Sequence, residues 1–242
     1  MRAAAWLVLA ATLLLWSGNW IVARAVRDEI APGIATAGRL LIVLVILLPF
    51  TLKNLLTKLK KTEKQDWKIL LALGFFGGGL HLALQWLGLH YTTATSGILY
   101  LSTSPLFILL MARPLLGEAI GARQWLGVAV SFLGIFLIAT QGRIQTLTFN
   151  AGDLLALGSM VMWSGYTVFL RLRRDALETP EFLVIVCLFG LVFISPWVAF
   201  EFIRGMKTNL TQFGALAVLY SAVGSLLLAY AGWSYVVTRI GA

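Results

Sequence analysis

The sequence predicts an all-α integral membrane protein: a polytopic helical bundle of two inverted five-helix repeats, with eight of an expected ten transmembrane helices. Three observations predict it. The chain is 60% hydrophobic and only 12% charged, where a soluble domain carries roughly 25% charge. Its apolar residues fall into eight runs, each near the ~20 residues that cross a bilayer. The chain also matches itself, without gaps, at a shift of 147 residues: Trp16-Ser17-Gly18 falls on Trp163-Ser164-Gly165, Arg24 on Arg171, Asp28 on Asp175, Pro49 on Pro196, Gly77 on Gly224 and Trp86 on Trp233.

The runs lie at about 3–23, 34–52, 67–89, 93–112, 123–141, 152–170, 182–203 and 214–238. Each reads as a helix, because only a helix satisfies the backbone polar groups of a single segment in lipid. The first run is long for a signal core, and its Trp-Ser-Gly recurs inside the chain, so it is expected to be retained although Ala23-Arg24-Ala25 loosely imitates a cleavage site. The sixth run copies the first, so one repeat holds five helices. An odd number turns the second repeat over, which gives an inverted pair. The first repeat is expected over 1–142 and the second, lacking its last two helices, over 150–242.

Basic residues orient the bundle. With the N-terminus in the cytoplasm, thirteen Lys and Arg fall inside, six of them between Lys53 and Lys68, and five fall outside. The positive-inside rule therefore favours a cytoplasmic N-terminus in a multi-pass protein of the cell membrane. The net charge of +9 follows from this topology and from anionic headgroups, not from nucleic acid. The single Cys187 forms no internal disulfide.

Polar side chains at bilayer depth are costly unless paired or facing water, which makes them candidates for function. Trp16, Asn19 and Trp20 share one face of the first helix; Gly74, Gly78, His81, Gln85 and Gly88 repeat at three- and four-residue spacing on the third. The fourth run offers Ser96, Tyr100, Thr103 and Phe107, the sixth Ser159, Trp163 and Tyr166, and the eighth Ser221 and Ser225. Converging faces of this kind would enclose an aromatic cavity with few hydrogen-bonding groups, suited to a zwitterion with an apolar side chain. The substrate-binding candidates are His81, Gln85, Asn19, Trp163, Tyr100, Tyr166, Trp16, Trp20 and Thr103. Close helix packing is the competing explanation for the Gly and Ser residues, and an interfacial belt for the Trp residues.

Arg39, about one turn into the second run, is expected to snorkel to the headgroups, or else to pair with Asp28 or Glu29 or to gate the cavity. Pro105 and Pro49 are read as kinks that could serve as hinges. Gly78 sits in a glycine run, 74–79, that lacks the Lys and Ser/Thr of a phosphate loop and reads as a close helix crossing. Glu118, beside Arg113 and Arg123, reads as a surface ion pair of little weight. No Asp or Glu occupies the middle of a run. His81, of a residue type that ordinarily titrates near about pH 6.5, is the remaining candidate for proton coupling, and facilitated transport is preferred to histidine-linked exchange.

No cluster has metal-ligand spacing and no nucleophile has a base beside it, so neither an enzyme, a cofactor nor a metal site is expected. The five-plus-five pattern, together with Trp16-Ser17-Gly18-Asn19, Arg39, Ala94-Thr95-Ser96-Gly97, Ser104-Pro105-Leu106-Phe107, Gly117-Glu118 and Gln124-Trp125-Leu126-Gly127, resembles the drug/metabolite transporter superfamily, in particular its EamA-type members. The resemblance implies a transporter of small metabolites, with amino-acid efflux first, working by alternating access around a central cavity. It also implies a ninth helix lining that cavity and a tenth supporting a homodimer. The partners expected are a small-molecule substrate and the lipid bilayer, with no nucleic acid. The alternatives are a non-transporting scaffold or truncated remnant of such a transporter, and a membrane-embedded transferase, for which no polar cluster is evident.

Overall fold

The computed structural model describes residues 2–140, 150–206 and 208–240, and among them the chain is helical with no strand. All eight runs form helices. They are α1 (Arg2–Ala25), α2 (Pro32–Leu59), a third span of α3 (Lys64–Leu73), π1 (Gly74–Leu80) and α4 (His81–Tyr91), a fourth of α5 (Ala94–Leu101) and α6 (Ser104–Leu116), α7 (Ala122–Thr140), α8 (Ala151–Leu172), α9 (Thr179–Ile203), and a last span of α10 (Gln212–Tyr220), π2 (Ser221–Leu228) and α11 (Ala229–Ile240). Seven spans are long and apolar enough to cross a membrane; α7, the fifth run, is a helix of 19 residues outside that set. Residues 141–149, where the expected boundary between the halves falls, lie outside the described residues, as do Arg143 and Lys207 of the charge count.

Local chemistry sets the helix ends. Pro32 opens α2, where its fixed φ suits the first turn and its missing N–H costs nothing. Asn150 and Asp153 form a capping box at the start of α8, and the Asp153 carboxylate also accepts from Thr92 at the end of α4. The fourth span breaks at Ser102-Thr103, and Pro105 stands in the first turn of the new helix α6. Pro105 therefore starts a helix; it does not kink one, because the preceding turn has already lost its helical register. Pro49 lies inside α2 and its counterpart Pro196 inside α9.

The helices pair as the 147-residue shift relates them: α1 packs on α11 as α8 packs on α4, and α2 packs on α9. The two π segments begin at Gly74 and Ser221, positions the same shift brings together. α2 and α9 run antiparallel and are tied at both ends. At one end the buried Glu201 carboxylate accepts from the Gly33 and Ile34 amides at 2.8 and 3.0 Å and from Trp197 Nε1 at 2.8 Å. An anion on helix N-terminal amides is a favourable arrangement. At the other end Lys58 Nζ reaches Glu181 at 2.7 Å and Glu178 at 3.3 Å. A core of Leu, Val and aromatic residues, including Leu40, Val43, Leu73, Phe182 and Val186, fills the space between α2, π1, α8 and α9.

Glycine makes the tightest crossing possible. A Cβ on Gly78 would overlap the Val186 carbonyl, and one on Gly190 would stand 2.6 Å from the Gly78 backbone. The glycine run is thus the site where π1 and α9 touch backbone to backbone.

Candidate functional site

A cavity of about 210 Å³ lies in the middle of the bundle, walled by side chains of α1, α4, α5, α6, α8, π2 and α11. Trp16 and Trp163, the residues that the shift superposes, meet there edge to face with ring centroids 4.8 Å apart. Trp233 stands 5.5 Å from Trp16 and 5.7 Å from Trp163, and Tyr230 5.5 Å from Trp163. Trp20, Leu13, Leu82, Leu101, Met160 and Pro105 complete the apolar wall. A larger cavity of about 590 Å³ lies at the end of the bundle, lined by charged groups including Arg173, Asp175, Glu178 and Arg239. It opens where the chain leaves the membrane, so it forms a mouth, not a central site.

The polar part of the central wall is small. His81 Nδ1 lies 2.9 Å from the Ser159 carbonyl. A carbonyl only accepts, so Nδ1 carries the proton, and in a neutral ring Nε2 is an acceptor. Gln85, one turn further along α4, lines the same cavity. Ser17, Ser104 and Ser225 add small polar side chains, and Trp16 Nε1 is tied to the Ser225 carbonyl at 3.1 Å.

Behind Gln85 runs a buried chain of hydrogen bonds. Arg39 Nη1 donates to Ser221 Oγ at 2.9 Å, Ser221 Oγ donates to Asn19 Oδ1, and Asn19 Nδ2 donates to Gln85 Oε1 at 3.2 Å. Arg39 is 0% exposed. Its other contacts are Thr36 Oγ1 at 3.3 Å, the Leu82 carbonyl at 3.4 Å and the Trp86 ring, 4.6 Å from the guanidinium carbon to the ring centroid.

Most of the expected site residues meet in this region, and some do not. His81, Gln85, Trp16, Trp20 and Trp163 line the cavity, and so does Pro105. Asn19 sits one hydrogen bond behind it. Tyr166 is fully buried against Trp163 and Tyr230 and does not reach the wall. Tyr100 packs in the second core cluster with Trp20 and Trp86, and Thr103 returns its hydroxyl to the Tyr100 carbonyl at 2.6 Å. Arg39 does not snorkel: its side chain turns inward to Ser221, and it pairs with neither Asp28, which bonds Arg27 at 3.4 Å, nor Glu29, which accepts from Thr211. Glu118 pairs with Arg171 across the bundle at 2.5 Å, in place of Arg113 or Arg123.

The expected single face of the third span is split, with a physical cause. Gly74 and Gly78 face Phe189 and Val186 of α9, whereas Gly88 faces Ala156 of α8 and His81 faces Ser159 and Trp163 of α8. The π segment between them widens the turn and rotates everything beyond it. Tyr230, Trp233 and Ser225 are wall residues that single-helix periodicity left out or assigned to packing. The Trp86–Trp233 coincidence of the repeat was the signal for Trp233, since it marked an aromatic residue held in both halves.

With this geometry in place, the comparisons with known proteins agree on one family. The chain is 28% identical to an uncharacterized transporter of Archaeoglobus fulgidus over 96% of its own length and 80% of that protein. It is 29% identical to the uncharacterized transporter YyaM of Bacillus subtilis over 83% of the chain and 65% of that protein, and 26% identical to YetK of the same organism over 98% and 73%. The family model for EamA-like transporters matches twice, at residues 2–140 and 150–242. A membrane-spanning helical bundle with a small aromatic cavity at its centre, matched over both halves, belongs to the EamA-like transporter family.

Proposed function

We propose that the protein exports amino acids or closely related metabolites by alternating access around the cavity where Trp16 meets Trp163. One observation carries the reading: two equivalent residues from the two halves meet in the wall of a mid-bundle cavity, the place where rocking of one inverted repeat against the other would expose a site first to one side and then to the other. The volume of about 210 Å³ selects among the cargo of the family. Drug-sized ligands occupy pockets of roughly 300–1,000 Å³, so a metabolite of amino-acid size fits better. The Gln85 amide and the His81 ring supply orientation, while Trp16, Trp163 and Trp233 receive an apolar or aromatic side chain. The two ties between α2 and α9, at Glu201 and at Lys58, suit gates at opposite faces of the membrane. The N-terminus and the lysine-rich α2–α3 loop are assigned to the cytoplasm.

Transport is facilitated in this account, because no carboxylate lines the cavity. Proteoliposomes preloaded with unlabelled aromatic or branched amino acids, or with their 2-hydroxy relatives, should take up labelled compound by counterflow. The rate should change by less than about twofold when a pH gradient is imposed. Accumulation driven more than about tenfold by the gradient, and lost in His81→Ala, would replace facilitation by histidine-linked exchange. Absence of counterflow for every compound in the panel would remove the amino-acid assignment.

A further inference from the structure

The chain from Arg39 to Gln85 has a direction, and the direction is fixed by chemistry. Arginine can only donate. Ser221 Oγ therefore accepts from Arg39 and spends its own proton on Asn19 Oδ1. Asn19 is left with its Nδ2 hydrogens, which go to Gln85 Oε1. The free end of the chain is thus the Gln85 Nε2 group, a donor at the cavity wall. Each bond polarises the next in the same sense, so part of the buried positive charge is expressed at that amide.

The charge itself is uncompensated. No carboxylate lies within ion-pairing distance of Arg39 among the described residues, and none of the residues lining the cavity is acidic. The buried acids are engaged elsewhere: Asp153 with Asn150 and Thr92, Glu181 with Lys58, and Glu201 with the start of α2. Arg39 has serine and threonine hydroxyls, a carbonyl and the Trp86 ring around it, and its Nε has no partner. A buried charge left in this state is costly. A second buried donor without a partner, Trp233 Nε1, belongs to a ring of the same cavity wall.

The fold does not require any of this. The 147-residue shift places Val186 opposite Arg39, Gly74 opposite Ser221, Tyr166 opposite Asn19 and Gly232 opposite Gln85. Val186 is fully buried in the apolar core, so the equivalent position in the other half packs with no charge at all. A symmetric scaffold that carries the polar chain on one side only points to a ligand and not to packing.

We propose that the Gln85 end of the cavity is an anion site, and that the substrate is a small monoanionic carboxylate with an apolar or aromatic body, its charge balanced by Arg39 acting through Ser221, Asn19 and Gln85. The proposal rests on the reading of this cavity as the transport site. Within that reading it ranks a monoanion above a zwitterion, since the wall offers no counter-charge for an ammonium group. Arg39 is a positioning residue here: it touches the polar chain, and Gln85 touches the substrate.

Three probes of nearly the same shape separate the charges: L-3-phenyllactate, an anion; L-phenylalanine, a zwitterion; and phenethylamine, a cation. Their affinities can be taken from the concentration dependence of the melting temperature of the purified chain in detergent. Phenyllactate should bind at least about tenfold more tightly than phenylalanine, the scale of one charge-assisted hydrogen bond, and phenethylamine should bind most weakly. Arg39→Gln should remove this preference and Arg39→Lys should restore most of it, an exchange a merely structural arginine would not follow. Gln85→Met, which keeps the side-chain length and leaves Arg39 in place, gives the same test if Arg39→Gln does not fold. Phenylalanine or phenethylamine binding as tightly as phenyllactate, or a preference unchanged in both variants, overturns the proposal and leaves the transport cavity standing. No binding of any of the three overturns the cavity assignment as well.

Discussion

Replacing Trp163 with alanine is expected to abolish ligand binding and transport. Trp163 is the hub of the cavity: its ring packs against Trp16, His81, Tyr166, Tyr230 and Trp233 at centroid distances of 4.8 to 5.7 Å. Truncation removes one wall of the site and opens it to the core. Deleting a large buried aromatic side chain costs ~3–5 kcal/mol in a packed interior, and aromatic anchors at binding sites carry ~2 kcal/mol or more of affinity. The expected outcome is a fall in transport of at least about a hundredfold with a lowered melting temperature. Trp163→Phe separates the two effects. It keeps an aromatic ring and most of the packing, so it should restore stability while leaving ligand affinity about tenfold weaker. Counterflow and thermal melting of the two variants provide the check; a Trp163→Ala protein that folds and transports normally would remove Trp163 from the site.

The second large effect is expected at Gly78. Its Cα lies against the Val186 carbonyl with no room for a Cβ, and Gly190 approaches the same backbone from the other side. Leucine at 78 cannot be accommodated by rotating a side chain, because what it meets is main chain. Overpacking costs ~1–3 kcal/mol where side chains can adjust, and the cost at this crossing lies above that range. Gly78→Leu should therefore fail to yield monodisperse protein by size-exclusion chromatography, and Gly78→Ala should fold with a clearly lowered melting temperature. At Gly127 on α7, by contrast, a Cβ meets nothing within 4 Å, so Gly127→Ala serves as the control and should change melting little.

How much of this was legible before any coordinates depended on the length scale of the question. Helix number followed from apolar length, and the relation between halves followed from Trp-Ser-Gly and its companions 147 residues apart. The glycine run was readable as a close crossing because glycine's missing Cβ has one common use in a membrane helix. His81, Gln85, Trp16, Trp20 and Trp163 were readable as site residues because polar and aromatic groups at bilayer depth stand out. Other features were not readable. Periodicity says which residues share a face but not which neighbour that face meets, so Tyr166 and Tyr100 pack in the core while Tyr230 and Trp233 line the wall. A π segment leaves no clear mark in composition, yet the one at Gly74–Leu80 turns Gly78 and His81 toward different helices. Arg39 lay within reach of the headgroups by sequence position alone. Its inward course depends on Ser221 and Asn19, residues far away in the chain.

The central claim, that the cavity between the two halves is the path of the substrate, meets its most direct test at Ser225. This residue lines the cavity and is almost wholly buried, and the chain's single cysteine, Cys187, is buried elsewhere in the core. In a Cys187→Ser background, Ser225→Cys should be modified by a membrane-impermeant methanethiosulfonate added to transporting proteoliposomes. Modification should stop counterflow, and phenyllactate or phenylalanine present during the reaction should protect the cysteine. Complete modification with undiminished counterflow would contradict the account, because a side chain in the middle of the path would then be irrelevant to passage.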